Sequence, residues 1–386
     1  MNNDRTSIVF TGDIGFDRYM DRRWTDEELL AAPVRDFFHG ADHVVANVEG
    51  ALIDTADNGS HGAFFHAMSP AAVKVLKDIH ADIWSIGNNH TMDAGAEGVL
   101  STRRIAAENG CRAFGAGSDI REASEPVYID KAGGIGLLGI TYMTECIPAT
   151  ETEPGIFRWD DIDRIKQRID EIKSRCRWCV VVCHGGEEFT PLPMPYTRDR
   201  YLRILELGAD AVVAHHPHVP ENYELFENGK AIFYSLGNFI FDTDYQRVHR
   251  YTDAGVLLKL IFTEDRMTFE AMGTRIIRGE ERIAAASLPD IFANVPAGEY
   301  ALLSPLAAQA FLAEEKRKMI YLEPERFSKA SEEVWNKYFF STDSDGYFEG
   351  AHMDFHVIVP FAGTAAEGAW KYSRLEKVKE HILRLL

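Results

Sequence analysis

The sequence predicts an α/β fold. Three observations lead there: apolar, β-rich runs alternate with helical-period segments through the first two-thirds of the 386 residues, polar residues follow the runs directly, and 46% of the residues are hydrophobic. That apolar share is ample for a real core and excludes a disordered chain. The expected strands are 7–11, 43–47, 82–86, 135–141, 178–183, 211–214, 231–235 and 255–262, each a short apolar run. Helical spacing occupies 70–79, 95–109 and 160–175, and Asn109-Gly110 supplies a stop for the second of these. Residues 223–235 read as a hairpin, because Asn228-Gly229 offers the positive φ angles a tight turn needs. From about residue 280 the character changes to Ala-rich helical stretches at 305–321 and 332–340. Tyr372, Leu375, Val378, Ile382 and Leu385 then recur three or four apart, which predicts a last helix with one buried face, packed on the preceding chain or offered to a partner. The chain therefore divides into residues 1–280 and a C-terminal helical extension or small subdomain, 281–386. It carries no internal repeat and no low-complexity tract.

Sixty acidic residues against 41 basic ones leave a formal net charge of −19. A field of that sign repels polyanions, so nucleic acid is not an expected partner. The first residues have no basic region followed by an apolar stretch, and no window approaches the roughly 18 apolar residues that span a bilayer, so the expectation is a soluble, cytoplasmic chain. Five cysteines, odd in number and lying in or beside apolar runs, suit reduced thiols in such a compartment. Cys176 and Cys179 form a CxxC, but Cys179 and Cys183 fall inside an expected buried strand, which favours a packing role.

Five segments put metal-competent side chains immediately after apolar strands: TGDIGFDR (11–18), ANVEG (46–50), IGNNHTMDAG (86–95), CHGGEE (183–188) and AHHPHV (214–219). In open α/β sheets, residues just beyond the carboxyl ends of strands face one crevice, so these segments are expected to share a site. Two carboxylates (Asp13, Glu49), two amides (Asn47, Asn89) and four imidazoles (His90, His184, His216, His218) suit Mn, Fe, Zn or Mg rather than a thiolate zinc site. The number of donors favours two divalent ions, which about 3.5–4 Å apart clamp a phosphate or carbonyl oxygen. Three imidazoles in the four residues His215-His216-Pro217-His218 are costly to keep beside an apolar strand without a ligand or solvent. The run 235–239 (SLGNF) reads either as a simple turn or as a polar loop closing the crevice.

In order and spacing, NNHTMDAG, HGGEE, AHHPHV and YSLGNFIFD (234–242) resemble the bacterial capsule-synthesis family of CapA and PgsA, a poly-γ-glutamate biosynthesis branch of the calcineurin-like metallophosphoesterases. The resemblance covers about residues 7–245. It implies a four-layer αββα sandwich of the metallophosphoesterase type, with the mainly helical extension following it and the site at one end of the sheets. It also implies metal ligands at Asp13, Glu49, Asn89, His184, His216 and His218, with Asn47 beside Glu49 in the bridging region. His90 resembles the general acid or oxyanion stabiliser, and Asp93, three residues on and within reach on a helical turn, is placed to orient its ring or to hold its proton. Glu187 and Glu188 follow His184 in the family's His-x-Gly-x-Glu manner, with Gly185 where an aromatic residue is usual. Asp13-Ile14-Gly15 stands where ordinary phosphoesterases have Asp-x-His, so one imidazole is missing.

The resemblance implies a metal-dependent hydrolase acting on a phosphate ester or related bond, with His90 and Asp93 catalytic and Asn47, Glu188 and Asn238 facing substrate. Arg18 suits either bidentate binding of an anion or a surface salt bridge. The alternatives are a non-catalytic accessory of capsule or poly-γ-glutamate synthesis, peripheral to the membrane through partner proteins, and a structural protein with a degenerate site. Two divalent ions add about +4 at one crevice, enough to hold a small or terminal anionic group. An extended polyanion crossing the acidic surface is still repelled.

Overall fold

Two sheets carry the fold, and both are built from strands whose side chains alternate between two apolar clusters. The computed structural model describes residues 5–16, 18–54, 64–142, 146–340 and 373–386. In chain order its elements begin with β1 (Thr6–Ile14), α1 (Ala32–His39), β2 (His43–Val48), the short strands β3 (Ala51–Leu52) and β4 (Ala67–Met68), α2 (Val73–Asp78) and β5 (Ile83–Ser85). Next come α3 (Gly95–Glu108), β6 (Arg112–Phe114), β7 (Ala116–Gly117), α4 (Ile120–Ala123), β8 (Val127–Ile129), β9 (Ile135–Tyr142), β10 (Gly155–Ile156) and α5 (Ile162–Arg175). They continue with β11 (Trp178–Gly185), α6 (Pro195–Leu207), β12 (Ala211–His215), β13 (Tyr223–Leu225), β14 (Ala231–Phe233), β15 (Asn238–Ile240), α7 (Asp244–Val248), β16 (Ala254–Phe262), β17 (Met267–Ile277) and β18 (Arg282–Ala286). The chain ends in α8 (Ala297–Leu322), α9 (Pro324–Phe327), α10 (Glu332–Phe340) and α11 (Ser373–Leu383).

The larger sheet runs β18-β17-β16-β1-β2-β5-β6, with β15 also paired to the end of β1. It is mixed: β1, β2, β5, β6 and β15 are parallel, whereas β16 to β18 are antiparallel. The second sheet runs β13-β14-β12-β11-β9-β8 and is parallel at its centre. Along β1, Ile8 and Phe10 share one cluster with Leu137, Val180, Val182 and Val213 of the second sheet. Val9, one residue out of phase, belongs instead to the cluster of Val34, Phe38, Leu76 and Val99, as a period of two requires. The second sheet behaves alike, sending Cys179, Val181 and Cys183 toward Ile165, Ile169 and Ile172 of α5.

The helices obey local rules. In α5 the Asp161 carboxylate accepts the Arg164 N–H at the N-cap, and the three buried isoleucines recur at helical spacing. In α6, Pro195 stands in the first turn, and the Glu187 carboxylate accepts the Met194 N–H and the Thr197 hydroxyl. The hairpin at 223–235 forms as its turn chemistry predicts, with Gly229 at φ 80°. Helix 70–79 starts instead as a 3-10 turn, Pro70–Ala72, before α2. The stretch expected at 305–321 begins eight residues earlier, because Pro296 at the N-cap starts α8 and Pro305 lies inside it. Strand β17 escapes sequence reading because its half-exposed alternation contains no long apolar run, and β18 because its short run 283–286 is mostly alanine, which has little β propensity.

At the C-terminus, Val378, Ile382 and Leu385 are buried in one cluster with Leu192, Met194 and the apolar face of α8. The predicted face thus packs on the preceding chain. Tyr372, named with it, lies outside the described residues, as does the Leu375 side chain. All five cysteines are free; Cys179 and Cys183 are buried in β11, and burial pushes the Cys183 thiol up to about 12. Among the described residues, no helix is long and apolar enough to cross a membrane.

Candidate metal centre

The end of β1 lies between β2 and β15, with Asp13 in register with Asn47 on one side and Asn238 on the other. That approach needs a glycine at position 12, where a Cβ would lie 2.2 Å from the Gly237 carbonyl oxygen. Glu49 follows β2, and its N–H donates to Ile14 O at 2.8 Å. After β5, Asn88 sets the next turn by donating to Val48 O and accepting the His90 N–H. His184 comes from β11, in register with His215 at the end of β12. Beyond β12 the backbone takes φ 102° at His216 and φ 57° at His218, a conformation that costs an L-residue on the order of 1–3 kcal/mol and marks functional turns.

These turns bring the predicted side chains together. Asn47 Nδ2 donates to Asp13 Oδ1 at 2.7 Å, and His218 Nδ1 lies 2.9 Å from Asn238 Oδ1 and 3.3 Å from Asp13 Oδ2. Glu49 Oε1 stands 3.5 Å from His218 Nε2, 3.9 Å from His184 Nε2 and 4.0 Å from His90 Nε2. Asn89 joins two imidazoles, accepting from His184 Nε2 at 2.9 Å and donating to His90 Nε2 at 3.0 Å. His90 Nδ1 donates to Asp93 Oδ2 at 2.8 Å, which fixes its tautomer. The His216 ring centroid lies 5.2 Å from that of His184 and 5.9 Å from that of His218.

Asp13 and Glu49 are fully buried, and two carboxylates at such depth require a cation. Ligand atoms of Asp13, Glu49 and His184 all fall within 4.8 Å of one another, a grouping able to hold a metal ion. Asn47 Oδ1 and His216 Nδ1 are buried and make no hydrogen bond among the described residues. Oxygen and imidazole donors left over in this way fit a hard-to-borderline divalent cation.

Imidazole electrostatics divide the same group. Burial opposes a charge on His218, but the carboxylates of Glu49 and Asp13 outweigh it and push the ring up to about 10. His216 is held down at about 4 by burial, and His184 lies well below its ordinary value for the same reason. Burial and the neighbouring His66 also lower His90, against the pull of Asp93. A raised histidine contributes stability that is complete below about pH 6.5 and lost as pH rises through its folded value; a lowered one contributes above about pH 6.5 and loses it as pH falls. Chelator-treated protein is therefore expected to be most stable near pH 6.5–7, weakening by on the order of a few kcal/mol toward pH 10 as His218 gives up its proton. Urea midpoints across that range check this, and a flat profile from pH 7 to pH 10 contradicts His218 as the counter-ion.

Not every predicted residue joins the cluster directly. Arg18 is exposed, opening the 3-10 turn Arg18–Met20. Asn238 orients His218 and is itself held, donating to Thr252 O at 2.9 Å and to Gln246 Oε1 at 3.2 Å. Glu188 lies near enough to His216 and His218 for their charges to act on it, and accepts from Lys318 Nζ at 3.0 Å and from the Tyr245 hydroxyl at 3.1 Å. Burial opposes its ionisation, yet Lys318 together with His216 and His218 holds its carboxyl well below the usual range. Sequence reasoning missed His66, whose ring centroid lies 4.2 Å from that of His90 and whose N–H donates to Asp93 Oδ2 at 2.7 Å. It also missed Phe189, stacked between His249 at 3.7 Å and His218 at 6.1 Å.

Fold and site together define an α/β protein with a buried carboxylate, amide and imidazole centre at the carboxyl ends of parallel strands. The family described as bacterial capsule synthesis protein PGA_cap matches residues 7–243, and the chain belongs to it. It is 31% identical over 252 residues to the PGA biosynthesis protein CapA of Bacillus subtilis (strain 168), covering 64% of this chain and 66% of that one. It is 28% identical over 262 residues to the capsule biosynthesis protein CapA of Bacillus anthracis, covering 64% and 62%. A probable polyglutamine synthesis accessory protein of Mycobacterium tuberculosis (strain CDC 1551 / Oshkosh) is 23% identical over 255 residues, covering 63% and 66%. The chain thus spans just under two-thirds of the length of the curated relatives it matches.

Proposed function

We propose that the chain is a metal-dependent hydrolase of the phosphoesterase type that serves capsule or poly-γ-glutamate biosynthesis and acts on a small or terminal anionic group. The observation that carries this reading is the buried grouping of Asp13, Glu49 and His184. Two divalent ions, drawn from Mn, Fe, Zn and Mg, would be held by Asp13, Glu49, Asn89, His184, His216 and His218. Bound there, they supply a Lewis acid and a water of lowered pKa. His90 keeps its Nδ1 proton on Asp93 and turns Nε2 toward Asn89 and Glu49, where it takes up or delivers a proton. Asn47 and Asn238 hold Asp13 and His218 in orientation while facing substrate. Glu188 borders the cluster, and we assign the exposed Arg18 guanidinium to the incoming anion.

We read residues 1–280 as a four-layer αββα sandwich. The apolar cluster shared by β1, β2, β5 and β16 with β9, β11, β12 and β14 supports two sheets face to face, and the helical partners of their other faces support the outer layers. Strand β18 carries the first sheet to Ala286, so we start the helical extension after it. Five free thiols support work in a reducing cytoplasm, peripheral to the membrane through capsule-synthesis partners. The test is elemental analysis of the purified chain with a screen of phosphomonoesters and phosphodiesters. Uptake of Mn, Fe or Zn with turnover of one ester class is expected; a clean preparation that binds none and turns over nothing overturns the reading.

One observation favours a second reading, a non-catalytic accessory of the same pathway: the first strand ends Asp13-Ile14-Gly15, with no histidine two residues after the aspartate. Polymer binding that survives both His216→Ala and His218→Ala would support it.

A further inference from the structure

Helix α8 lies beyond the segment matched by the family, which ends at residue 243. Glu314, Glu315 and Lys318 stand three and four residues apart on one of its faces and are 0%, 3% and 8% exposed. Burying a charged side chain has a cost unless it is paired or neutralised: burial pushes the Glu315 carboxyl up to about 7, whereas Glu314 and Lys318 have charged partners. Glu314 accepts from His249 Nδ1 at 2.6 Å, and His249 stacks on Phe189, which in turn stacks on His218. Arg317 also pairs with Glu314 and donates to Leu385 O at 2.7 Å, tying the end of the chain to the same turn of helix. Lys318 donates to Glu188 Oε2 at 3.0 Å, the oxygen that also accepts from the Tyr245 hydroxyl.

We propose that Lys318 is a positioning residue of the metal centre, a cation supplied by the C-terminal helix that fixes the Glu188 carboxylate at the centre's edge and balances its charge. The inference rests on the metal-centre reading above. It makes α8 part of the site, so that the family-matched segment alone leaves Glu188 without its ammonium partner. Glu188 follows His184 by four residues and neighbours Phe189, so a change in its position is felt by groups packed on His218.

The sign of the electrostatic effect gives a test that does not depend on turnover. Removing the ammonium in Lys318→Met leaves an uncompensated carboxylate near the bound cation, so Mn is expected to bind about 3- to 10-fold more tightly. Glu188→Gln leaves the ammonium uncompensated and is expected to weaken Mn binding by a similar factor, while the double variant returns close to the parent. Lys318→Arg, which keeps the charge, is expected to stay within about twofold of the parent. Mn titration by calorimetry on the full chain measures all four, with thermal melting of the chelator-treated proteins to exclude unfolded variants. Folded Lys318→Met with parental Mn affinity overturns the proposal while leaving the metal centre intact. A parent chain that takes up no Mn overturns the metal-centre reading and the proposal with it, and Mn uptake without ester turnover removes only the hydrolase reading.

Discussion

Glu49→Gln is expected to lose bound metal, with Mn per chain at a fixed free concentration falling at least about tenfold and turnover of a phosphodiester probe falling about 10³-fold or more. The glutamine keeps the shape and removes the charge. Glu49 is fully buried, and its Oε1 lies within 4.0 Å of nitrogens from His90, His184 and His218. Among the described residues no other carboxylate oxygen lies within 4.0 Å of three of these imidazoles, so its loss withdraws the acceptor about which they are arranged. Its charge also sustains the proton on His218, so the same variant is expected to flatten the decline in stability between pH 7 and pH 10. Elemental analysis after dialysis and urea melts at three pH values check both effects. Parental Mn content in a folded Glu49→Gln protein would remove Glu49 from the ligand set.

Asp242→Ala is expected to cost about 2–3 kcal/mol of stability, below the full value for a buried pair because its partners are a quarter exposed. Asp242 is itself fully buried. Its Oδ2 accepts from Arg247 Nε at 2.8 Å and Nη2 at 2.5 Å, and its Oδ1 accepts from Arg278 Nη2 at 3.0 Å. Arg247 reaches on to Glu281 and lies 3.2 Å from the centre of the Tyr19 ring. Arg278 also donates to the Thr252 hydroxyl, and the Thr252 carbonyl accepts from Asn238, the residue that orients His218. Denaturant unfolding of the chelator-treated protein measures the loss without interference from metal. A change below about 0.5 kcal/mol would mean that the two guanidiniums find solvent or other acceptors at little cost.

Both variants concern residues of different legibility. Asp13, Glu49, Asn89, His184, His216 and His218 stand out in sequence because each follows an apolar run within a few residues, where sheet geometry gathers side chains. The strands that carry them were legible for the same reason. What sequence patterning could not yield is the set of contacts made by elements that look ordinary on their own. Lys318 lies in a long helix where a lysine reads as a solvated face, and only the docking of α8 turns it toward Glu188. His66 immediately precedes a strand of only two residues, Ala67–Met68, with no periodicity to mark it. Asp242 closes a recognisable motif, yet its partners Arg247 and Arg278 are separated by 31 residues and by two strands. Half-exposed strands such as β17 lack the apolar run by which buried strands are found.

His215 Nε2 donates to Thr11 O at 2.8 Å, a bond between the two sheets that joins residues 204 apart in the chain. Asp13 likewise faces Asn238 across paired strands. At about 5–20 residues added per second, roughly 10–45 s separate the emergence of these two from the ribosome. His184, His216 and His218 follow Glu49 by 135–169 residues, so for roughly 7–34 s Asp13 and Glu49 have only His90 of the four named imidazoles on the nascent chain. On the proposed metal-centre reading, loading is a late event in the life of the molecule, one that waits for the second sheet to be synthesised and docked.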